Sequence, residues 1–578
     1  MGKVNIEINN QKFRVDEDLT VLQAARKANI DIPTLCYLED INEKGACRMC
    51  IVEVEGKRNL QASCVMPVRE GLKINTHSKR VRESRKNTLK LILSSHNQEC
   101  LSCSENANCE LSKLCDKFGI DDITYEAENR DNVYDDLSPS IVRDSSKCIK
   151  CGRCISVCKE VQNVGLLEFI NRGYKTTVKP AYGKSLSEMP CLYCGQCLAV
   201  CPVGALTEKS HRNKVWEALE NDDLHVVVQT APAVRAALGE EFDYPIGTRV
   251  TGKMVTALKM LGFDKVFDTN FAADLTIMEE GHELLDRINN DGELPLITSC
   301  SPGWIRYCEF NHPDLLKNIS SCKSPQQMFG AVAKSYYAKK FDIDPENIFV
   351  VSAMPCTAKK AESEREEIEG DVDAVLTTKE LAKMIKEATI DFRSLKESKH
   401  DKVLGEYTGA GVIFGATGGV MEAALRTVAD VLTDKDIKEI EYKEVRGIEG
   451  IKEASVKIGD LEVKACVAHG IKNAEKILDK IEKGNADYHF VEIMTCPGGC
   501  VNGGGQPYVQ PDIKSEINVK EKRAKALYDE DESLEFRKSH QNPEIIKIYE
   551  DFLGKPNSEL AHKLLHTHYY KRDKYKNS

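Results

Sequence analysis

The sequence predicts a multidomain protein of mixed α+β and α/β type, with small cysteine-bearing units followed by one large α/β domain. A chain of 578 residues is too long for one hydrophobic core, and units of about 100 to 200 residues are expected. Sixteen of the 23 cysteines fall before residue 202, in regularly spaced groups. From Leu224 onward, strand-like runs such as LHVVVQTAP, KVFDTN, LPLITSC, NIFVVSAMPC and YHFVEIMTCPGGC alternate with longer helical stretches, the pattern of an α/β domain.

With 41% hydrophobic and 30% charged residues, the composition is that of a soluble globular protein. Acidic residues outnumber basic ones, 91 to 80, for a net charge of -11, which gives no electrostatic reason to expect nucleic acid as a partner. The opening MGKVNIEINNQKF lacks the apolar run of a secretory signal, and no uncharged apolar stretch of about 18 residues follows. A cytoplasmic protein with no membrane partner is expected. Gly409 to Leu425, the most apolar later segment, is glycine-rich and interrupted by Glu422; it reads as buried backbone near a ligand. Structural disulfides are disfavoured in a reducing compartment, so 23 cysteines point to metal binding.

In the first unit, VNIEINNQKFRV alternates in the manner of strands, VLQAARKANI is helical, and Cys50 to Val54 and Leu72 to Asn75 are strand-like, suggesting a small β-rich domain packed on a helix. Cys36, Cys47, Cys50 and Cys64 form C-x10-C-x2-C-x13-C, with Gly45 and Arg48 in the loop. Such a loop lets thiolates converge while backbone N–H groups face the sulfurs. The first spacing is longer than in plant-type ferredoxins, so this is a variant 2Fe-2S arrangement, with zinc as the alternative.

The second group is His96, Cys100, Cys103 and Cys109, spaced H-x3-C-x2-C-x5-C. Zinc accepts the same ligands, but a position between two redox-type arrays favours a 4Fe-4S cluster whose imidazole ligand alters its charge and potential. Cys115 reads as a spare buried thiol. The third group is two runs of C-x2-C-x2-C-x3-C: Cys148, Cys151, Cys154, Cys158 and Cys191, Cys194, Cys197, Cys201. This is the signature of a two-cluster bacterial ferredoxin module, in which the last cysteine of each run serves the other cluster. One cubane takes Cys148, Cys151, Cys154 and Cys201; the other takes Cys191, Cys194, Cys197 and Cys158. Only the second run carries the usual proline, Pro202; Lys159 stands in the first.

Three strands of the large domain end in cysteine, and α/β folds collect ligands outside the carboxyl ends of their strands. One core cysteine is ordinary; three such positions flanked by Pro and Gly suggest a shared site. The segments TSCSPGW (Thr298 to Trp304), MPCTAKKAE (Met354 to Glu362) and EIMTCPGGCVNGGGQP (Glu492 to Pro507) resemble the three signature segments of iron-only (di-iron) hydrogenases, specifically the monomeric clostridial type with four accessory clusters. The resemblance includes the preceding cluster modules in their usual order and reaches the charged, helix-like tail that begins near Val519.

It implies a β-grasp ferredoxin-like domain over residues 1–80, a 4Fe-4S domain with one histidine and three cysteine ligands over 81–140, a two-cubane ferredoxin domain over 141–210 and an α/β H-cluster domain with a helical tail over 211–578. The implied cofactors are one 2Fe-2S cluster, three accessory 4Fe-4S clusters and the H-cluster, a 4Fe-4S cubane linked to a di-iron subsite bearing CO, cyanide and a bridging dithiolate. Cys356, Cys496 and Cys500 would hold the cubane, Cys500 also bridging to the di-iron subsite. Lys359 would hydrogen-bond a cyanide, with Ala231, Pro232, Gln326, Met354, Gly418 and Gly419 lining the rest of the pocket. Thiolates suit iron clusters, and the glycines around Cys500 let backbone approach a bulky cofactor. The implied proton route runs through Arg287, Glu283, Ser320, Glu280 and Cys300, although two glutamates three apart on a helix commonly mark only a solvated face.

One signature position departs from the family: Ser301 stands where a cysteine ligates the cubane. Either Ser301 ligates, or Cys300 takes over, or the cubane keeps an open corner; oxygen is a harder, weaker partner than thiolate. The charged tail reads as exposed, and although His562, His566 and His568 on it have metal-binding spacing, a peripheral, satisfied role is expected and none is assigned. The implied activity is reversible reduction of protons to H2 with electrons from ferredoxin or a similar carrier. The alternatives are a hydrogen-sensing or non-catalytic protein of the same fold, which Ser301 favours, and an electron-input subunit of a larger complex.

Overall fold

The chain opens with a hairpin, Lys3–Ile8 antiparallel to Gln11–Asp16, turned by Asn9 and Asn10 at φ 53° and 66°. Left-handed conformation at both turn residues matches the twist of the flanking strands, and asparagine tolerates it. In the five-stranded sheet, Lys3–Ile8 lies between Gln11–Asp16 and Leu72–Asn75, followed by Ile51–Val54 and Gln61–Ala62. Its apolar face, including Ile6, Ile8 and Ile74, shares a core with Val21, Leu22, Ala24 and Ala25 of the helix Val21–Lys27. That helix starts at a capping box formed by Thr20 and Gln23, which satisfies two of its free N-terminal donors. The computed structural model describes residues 2–122, 125, 133–433, 437, 441–447, 449–458 and 461–574.

Helix Lys79–Leu93 leads out of this sheet, tied back by Arg85 donating to the Ile51 carbonyl at 2.7 Å. After the turns that carry His96 to Cys109, helix Glu110–Phe118 ends on Gly119 in the left-handed region. The next unit contains a three-stranded sheet ordered Leu206–Glu208, Ile141–Asp144, Tyr134–Asp135 and a hairpin of Glu168–Ile170 with Thr177–Lys179.

The large domain holds two four-stranded sheets. One is wholly parallel, ordered Lys265–Asp268, His225–Thr230, Ile348–Met354, Ala374–Thr377. The other is ordered Leu296–Ile297, Phe490–Met494, Leu461–His469, Ile451–Ile458, with an antiparallel final pair. Helix Thr269–Asn289 contributes Phe271, Ala272 and Leu275 to the core of the first sheet and Ala273, Ile277 and Leu284 to that of the second. A helix packed on two sides has little solvated face, and for that reason Glu279 and Glu280 are buried. Gly409 to Leu425 forms parts of two buried helices, Gly409–Ile413 and Gly419–Thr433. Among the described residues no helix is long and apolar enough to cross a membrane.

The tail departs from the expectation of an exposed appendage. Helices Val519–Ser533, Pro543–Ile548 and Glu559–Leu565 place Leu527, Ile545, Ile548, Ala561 and Leu565 in the cores of the large domain. Fully buried Arg235 joins the tail to the parallel sheet, donating to Asp268 at 2.6 Å, Glu530 at 2.9 Å and the Tyr407 hydroxyl at 3.1 Å. Arg235→Ala removes the buried cation that Asp268 and Glu530 share, leaving Glu530 only the more distant Arg249 at 3.9 Å, so it should cost about 3–5 kcal/mol. A clear drop in the thermal unfolding midpoint of the large domain is the expected result; an unchanged midpoint would show that the network contributes nothing net.

Candidate metal centres and active site

In the N-terminal unit the four thiols meet as two pairs. Cys50 and Cys64 lie with Sγ atoms 3.2 Å apart. The Cys36 thiol is drawn down to about 6 by a hydrogen bond from the Cys47 thiol, helped by the amides of Cys47 and Ala46. Gly45 and Arg48, both at φ 61°, turn the loop so that these amides face sulfur, an arrangement that stabilises negative charge. Asn42, fully buried, donates to the Cys36 carbonyl at 2.6 Å and the Cys151 carbonyl at 3.2 Å, joining this group to the next.

His96 and Cys103 are half-buried and Cys100 is exposed. A Cβ at Gly204 would fall 2.6 Å from Cys103 Sγ, so this group abuts the turn after Cys201. Cys109, Cys148 and Cys201 pack against the same small apolar core. Cys115 is half-buried, its thiol pushed up to about 11 by burial.

Cys148, Cys151, Cys154 and Cys201 line one cavity. Cys191, Cys194, Cys197 and Cys158 lie within electrostatic reach of one another. Burial pushes the thiols of Cys151, Cys191 and Cys201 up to about 12. Neutral thiols would fill these sites at pH 7 in the absence of a cation, whereas bound iron deprotonates them outright. The donor set therefore fits iron–sulfur clusters. Thr357 Oγ1 donates to the Tyr193 carbonyl at 2.7 Å, and Gln196 Nε2 to the Asn502 carbonyl at 2.9 Å; both bonds hold the second cysteine run against the large domain.

There, Cys300 follows strand Leu296–Ile297, Cys356 follows Ile348–Met354 and Cys496 follows Phe490–Met494. The carboxyl ends of both sheets thus deliver cysteine to one cavity, lined by Cys194, Cys300, Ser301, Cys356, Lys359, Cys496 and Cys500 among others. Close backbone packing shapes its wall: a Cβ on Gly503 would fall 2.2 Å from the Pro355 carbonyl oxygen, and one on Gly499 2.7 Å from the Thr417 nitrogen. Five thiols, a lysine and a cradle open only to glycine fit a bulky iron–sulfur group.

Ser301 Oγ sits 2.8 Å from Thr495 Oγ1 and accepts the Thr495 amide at 3.2 Å. Lys359 is buried on both oxygens of Glu362, at 3.0 and 2.8 Å, and Glu362 also accepts from Ser324 and Gln326. Ala231, Pro232, Gln326, Met354, Gly418 and Gly419 are not among the residues lining this cavity. Backbone contacts account for the two glycines: a Cβ would fall 1.9 Å from the Val445 oxygen at Gly418 and 1.8 Å from the Ile413 oxygen at Gly419. Gly418 is further held by Glu492, which accepts its amide at 2.6 Å and that of Met421 at 2.8 Å.

A chain of polar groups leads outward. The Cys300 thiol, pushed well up by burial and by the Glu280 charge, lies at the cavity wall. Burial first, and the Glu283 charge second, push the Glu280 carboxyl up to about 8, while a hydrogen bond with Ser320 acts the other way. Ser320 Oγ donates to Glu283 at 2.9 Å, and Arg287 to Glu283 at 2.6 Å. The side chains of Glu283 and Arg287 are 13% and 15% exposed, so the chain reaches the surface there.

Sequence reasoning missed several partners of these residues. Glu362 was visible inside the second signature segment. His566 had no signal; far from peripheral, it is buried with Nδ1 2.8 Å from Ser321 Oγ and Nε2 3.1 Å from Glu279.

Clustered thiols feeding a buried cavity at the ends of two sheets, with a titratable chain running outward, define an iron–sulfur oxidoreductase that couples electron and proton transfer. The profile of the iron-only hydrogenase large subunit, C-terminal domain, matches residues 224–504, and that of the iron hydrogenase small subunit matches 517–572. Profiles of a 2Fe-2S iron-sulfur cluster binding domain (2–79), the NADH-ubiquinone oxidoreductase-G iron-sulfur binding region (85–124) and the ferredoxin-like domain of NADH-quinone oxidoreductase subunit 3 (138–207) match the rest. The chain is 49% identical to the NADP-reducing hydrogenase subunit HndD of Solidesulfovibrio fructosivorans, covering 99% of this chain and 100% of that one. It is 46% identical to iron hydrogenase 1 of Clostridium pasteurianum, covering 98% and 100%. The structure of [FeFe]-hydrogenase HydA1 from Chlamydomonas reinhardtii superposes with a TM-score of 0.57 at 40% identity, covering 63% of this chain and 100% of that one. The chain belongs to the iron-only, or [FeFe], hydrogenase family, tail included, and is an oxidoreductase acting on H2 and protons through 2Fe-2S and 4Fe-4S clusters and an H-cluster.

Proposed function

We propose that this enzyme reversibly reduces protons to H2 with electrons delivered by ferredoxin or a similar soluble carrier, in the cytoplasm, through four accessory clusters. The observation that carries this reading is the cavity shared by Cys356, Cys496 and Cys500, which Cys194 of the second ferredoxin-type cysteine run and Cys300 at the head of the acid chain also line. In this assignment residues 1–80 carry a 2Fe-2S cluster, 81–140 a 4Fe-4S cluster on His96, Cys100, Cys103 and Cys109, and 141–210 two cubanes with exchanged fourth cysteines; 211–578 carry the H-cluster. The exposed Cys100, beside fully exposed Leu101, supports electron entry at the His96 group.

When bound, the H-cluster supplies the centre at which electrons and protons combine. Cys356, Cys496 and Cys500 would hold it, with Ser301 beside the fourth corner and Lys359 offering a charge-assisted donor. Glu362, anchored by Ser324 and Gln326, fixes where the Lys359 ammonium lies. Arg287 holds Glu283 near the surface; Glu283, Ser320, Glu280 and Cys300 then pass protons inward, the outer step over the Ser320–Glu283 hydrogen bond at 2.9 Å and the inner end where the Glu280 charge reaches the Cys300 thiol. The buried surroundings exclude bulk water from the inner end.

An iron count with an infrared spectrum tests the whole. Fully loaded protein should contain about fourteen accessory irons and about six more in the H-cluster, with CO and cyanide bands. Zinc at the His96 site with only two accessory cubanes would overturn the proposed wire, and absence of those bands would leave an electron carrier.

A further inference from the structure

We propose that Glu283, Cys322 and His566 form a second metal site, suited to Zn2+ or a similar borderline divalent ion, whose occupation shuts the proton route at its outer end. The shut-off rests on the assignment of Glu283 as a relay; the site itself rests on geometry. A carboxylate oxygen, a thiol sulfur and an imidazole nitrogen from these residues lie within 4.8 Å of one another. Mixed oxygen, sulfur and nitrogen donors select zinc-like ions over Mg2+ or Ca2+, which take oxygen. Three protein ligands leave a fourth position for water or for Ser321 Oγ.

Two features organise the site before any ion arrives. The backbones of Cys322 and His566 are locked side by side by an antiparallel bridge, with Lys323 N donating to the Leu565 carbonyl and Thr567 N to the Ser321 carbonyl, each at 2.7 Å. Glu279 accepts from the Tyr549 hydroxyl, from the Asn557 amide at 2.8 Å and from His566 Nε2 at 3.1 Å. A carboxylate can only accept, so Nε2 of a neutral imidazole carries the proton and the Nδ1 lone pair is left free to ligate. Nδ1 now lies 2.8 Å from Ser321 Oγ, which also reaches Glu283 at 3.3 Å. This is the carboxylate–histidine arrangement that orients metal ligands.

Charge favours the ion as well. The Cys322 thiol is pushed well up by burial and then by the charges of Glu283, Glu280 and Glu279, and the cation held against Glu283 is Arg287, at 2.6 Å. A dication would offset the acidic excess and allow the thiolate to form. With Glu283 Oε2, the oxygen nearest Cys322, bound to metal, Ser320 loses its acceptor while Arg287 keeps Oε1; proton supply stops at that step and the electron wire is untouched. The plainer alternative is a packed core cysteine beside a satisfied histidine.

The test uses the fully loaded, anaerobic enzyme and zinc chloride alone. The expected result is one zinc per chain, with X-ray absorption showing a single sulfur among nitrogen and oxygen ligands. H2 evolution should fall, recover on chelation and leave the accessory-cluster spectra unchanged. Neither Cys322 nor His566 belongs to the proposed relay, so Cys322→Ala and His566→Ala should turn over normally without zinc and need at least about ten-fold more of it for inhibition. Zinc bound with unchanged affinity in both variants, or through several sulfurs, would place the ion on cluster thiols and overturn the proposal. Zinc bound at Cys322 and His566 without inhibition would overturn the shut-off alone. A Glu283→Gln enzyme with normal zinc-free turnover would locate that failure in the relay assignment.

Discussion

Glu280→Gln should lower H2 turnover by about two to four orders of magnitude while every cluster still assembles. Glutamine keeps the size of the side chain and a hydrogen-bonding end, but it cannot give up and regain a proton. The carboxyl is pushed up to about 8, first by burial and second by the charge on Glu283. At pH 7 it is mostly protonated and able to donate toward Cys300. As pH rises past about 8 that proton is lost, so wild-type H2 evolution should decline there, and the residual activity of the variant should lack this inflection. Stability gives an independent control. A folded value of about 8 against an ordinary 4.5 means that the native state holds a proton the unfolded chain has released. Folding free energy from this group is therefore lost as pH climbs through that window. The glutamine variant should be at least as stable as the parent at pH 8, so reduced turnover could not be ascribed to unfolding. Near-normal turnover would move the proton route elsewhere.

Cys300→Ala should be equally damaging to turnover, and what happens to the cubane decides the role of Ser301. Ser301 lines the cavity with Cys356, Cys496 and Cys500 and is bonded to Thr495 beside Cys496, whereas the Cys300 thiol feels the Glu280 charge. On this placement Cys300 serves protons, and Ser301 takes the fourth corner or leaves it open. Cys300→Ala should then retain an intact H-cluster by infrared and electron paramagnetic resonance, with proton delivery blocked. Loss of the cubane signal together with activity would show instead that Cys300 is the ligand. Ser301→Cys is the complementary change: it supplies a softer ligand and gives up the bonds to Thr495. It should shift the reduction potential of the cubane and with it the balance between hydrogen evolution and uptake. An unchanged potential would show that residue 301 is not bonded to iron.

Periodicity and cysteine spacing determined much by themselves: the small β-rich first unit, the α/β character of the large domain and the arrays of potential cluster ligands; the signature segments added the family through resemblance. Such features are local. A turn, a period-two strand or a C-x2-C loop is written in a few consecutive residues, and cluster chemistry restricts the spacing further. Tertiary structure alone decided how the thiol groups abut, because contacts such as Asn42 with the Cys151 carbonyl and Thr357 with the Tyr193 carbonyl join segments more than a hundred residues apart. It also decided the burial of Glu279 and Glu280, on a helix whose pattern does not announce that both of its sides face a core. The tail was misread for a related reason. Its charged residues suggest a solvated face, but Glu530 and Asp531 are buried against Arg235 and Arg426, and His566 reaches Glu279 only because Thr567 and Leu565 pair with the loop at Cys322. A charge pattern in one segment cannot reveal the opposite charge waiting on another, and that pairing exists only once the chain has closed on itself.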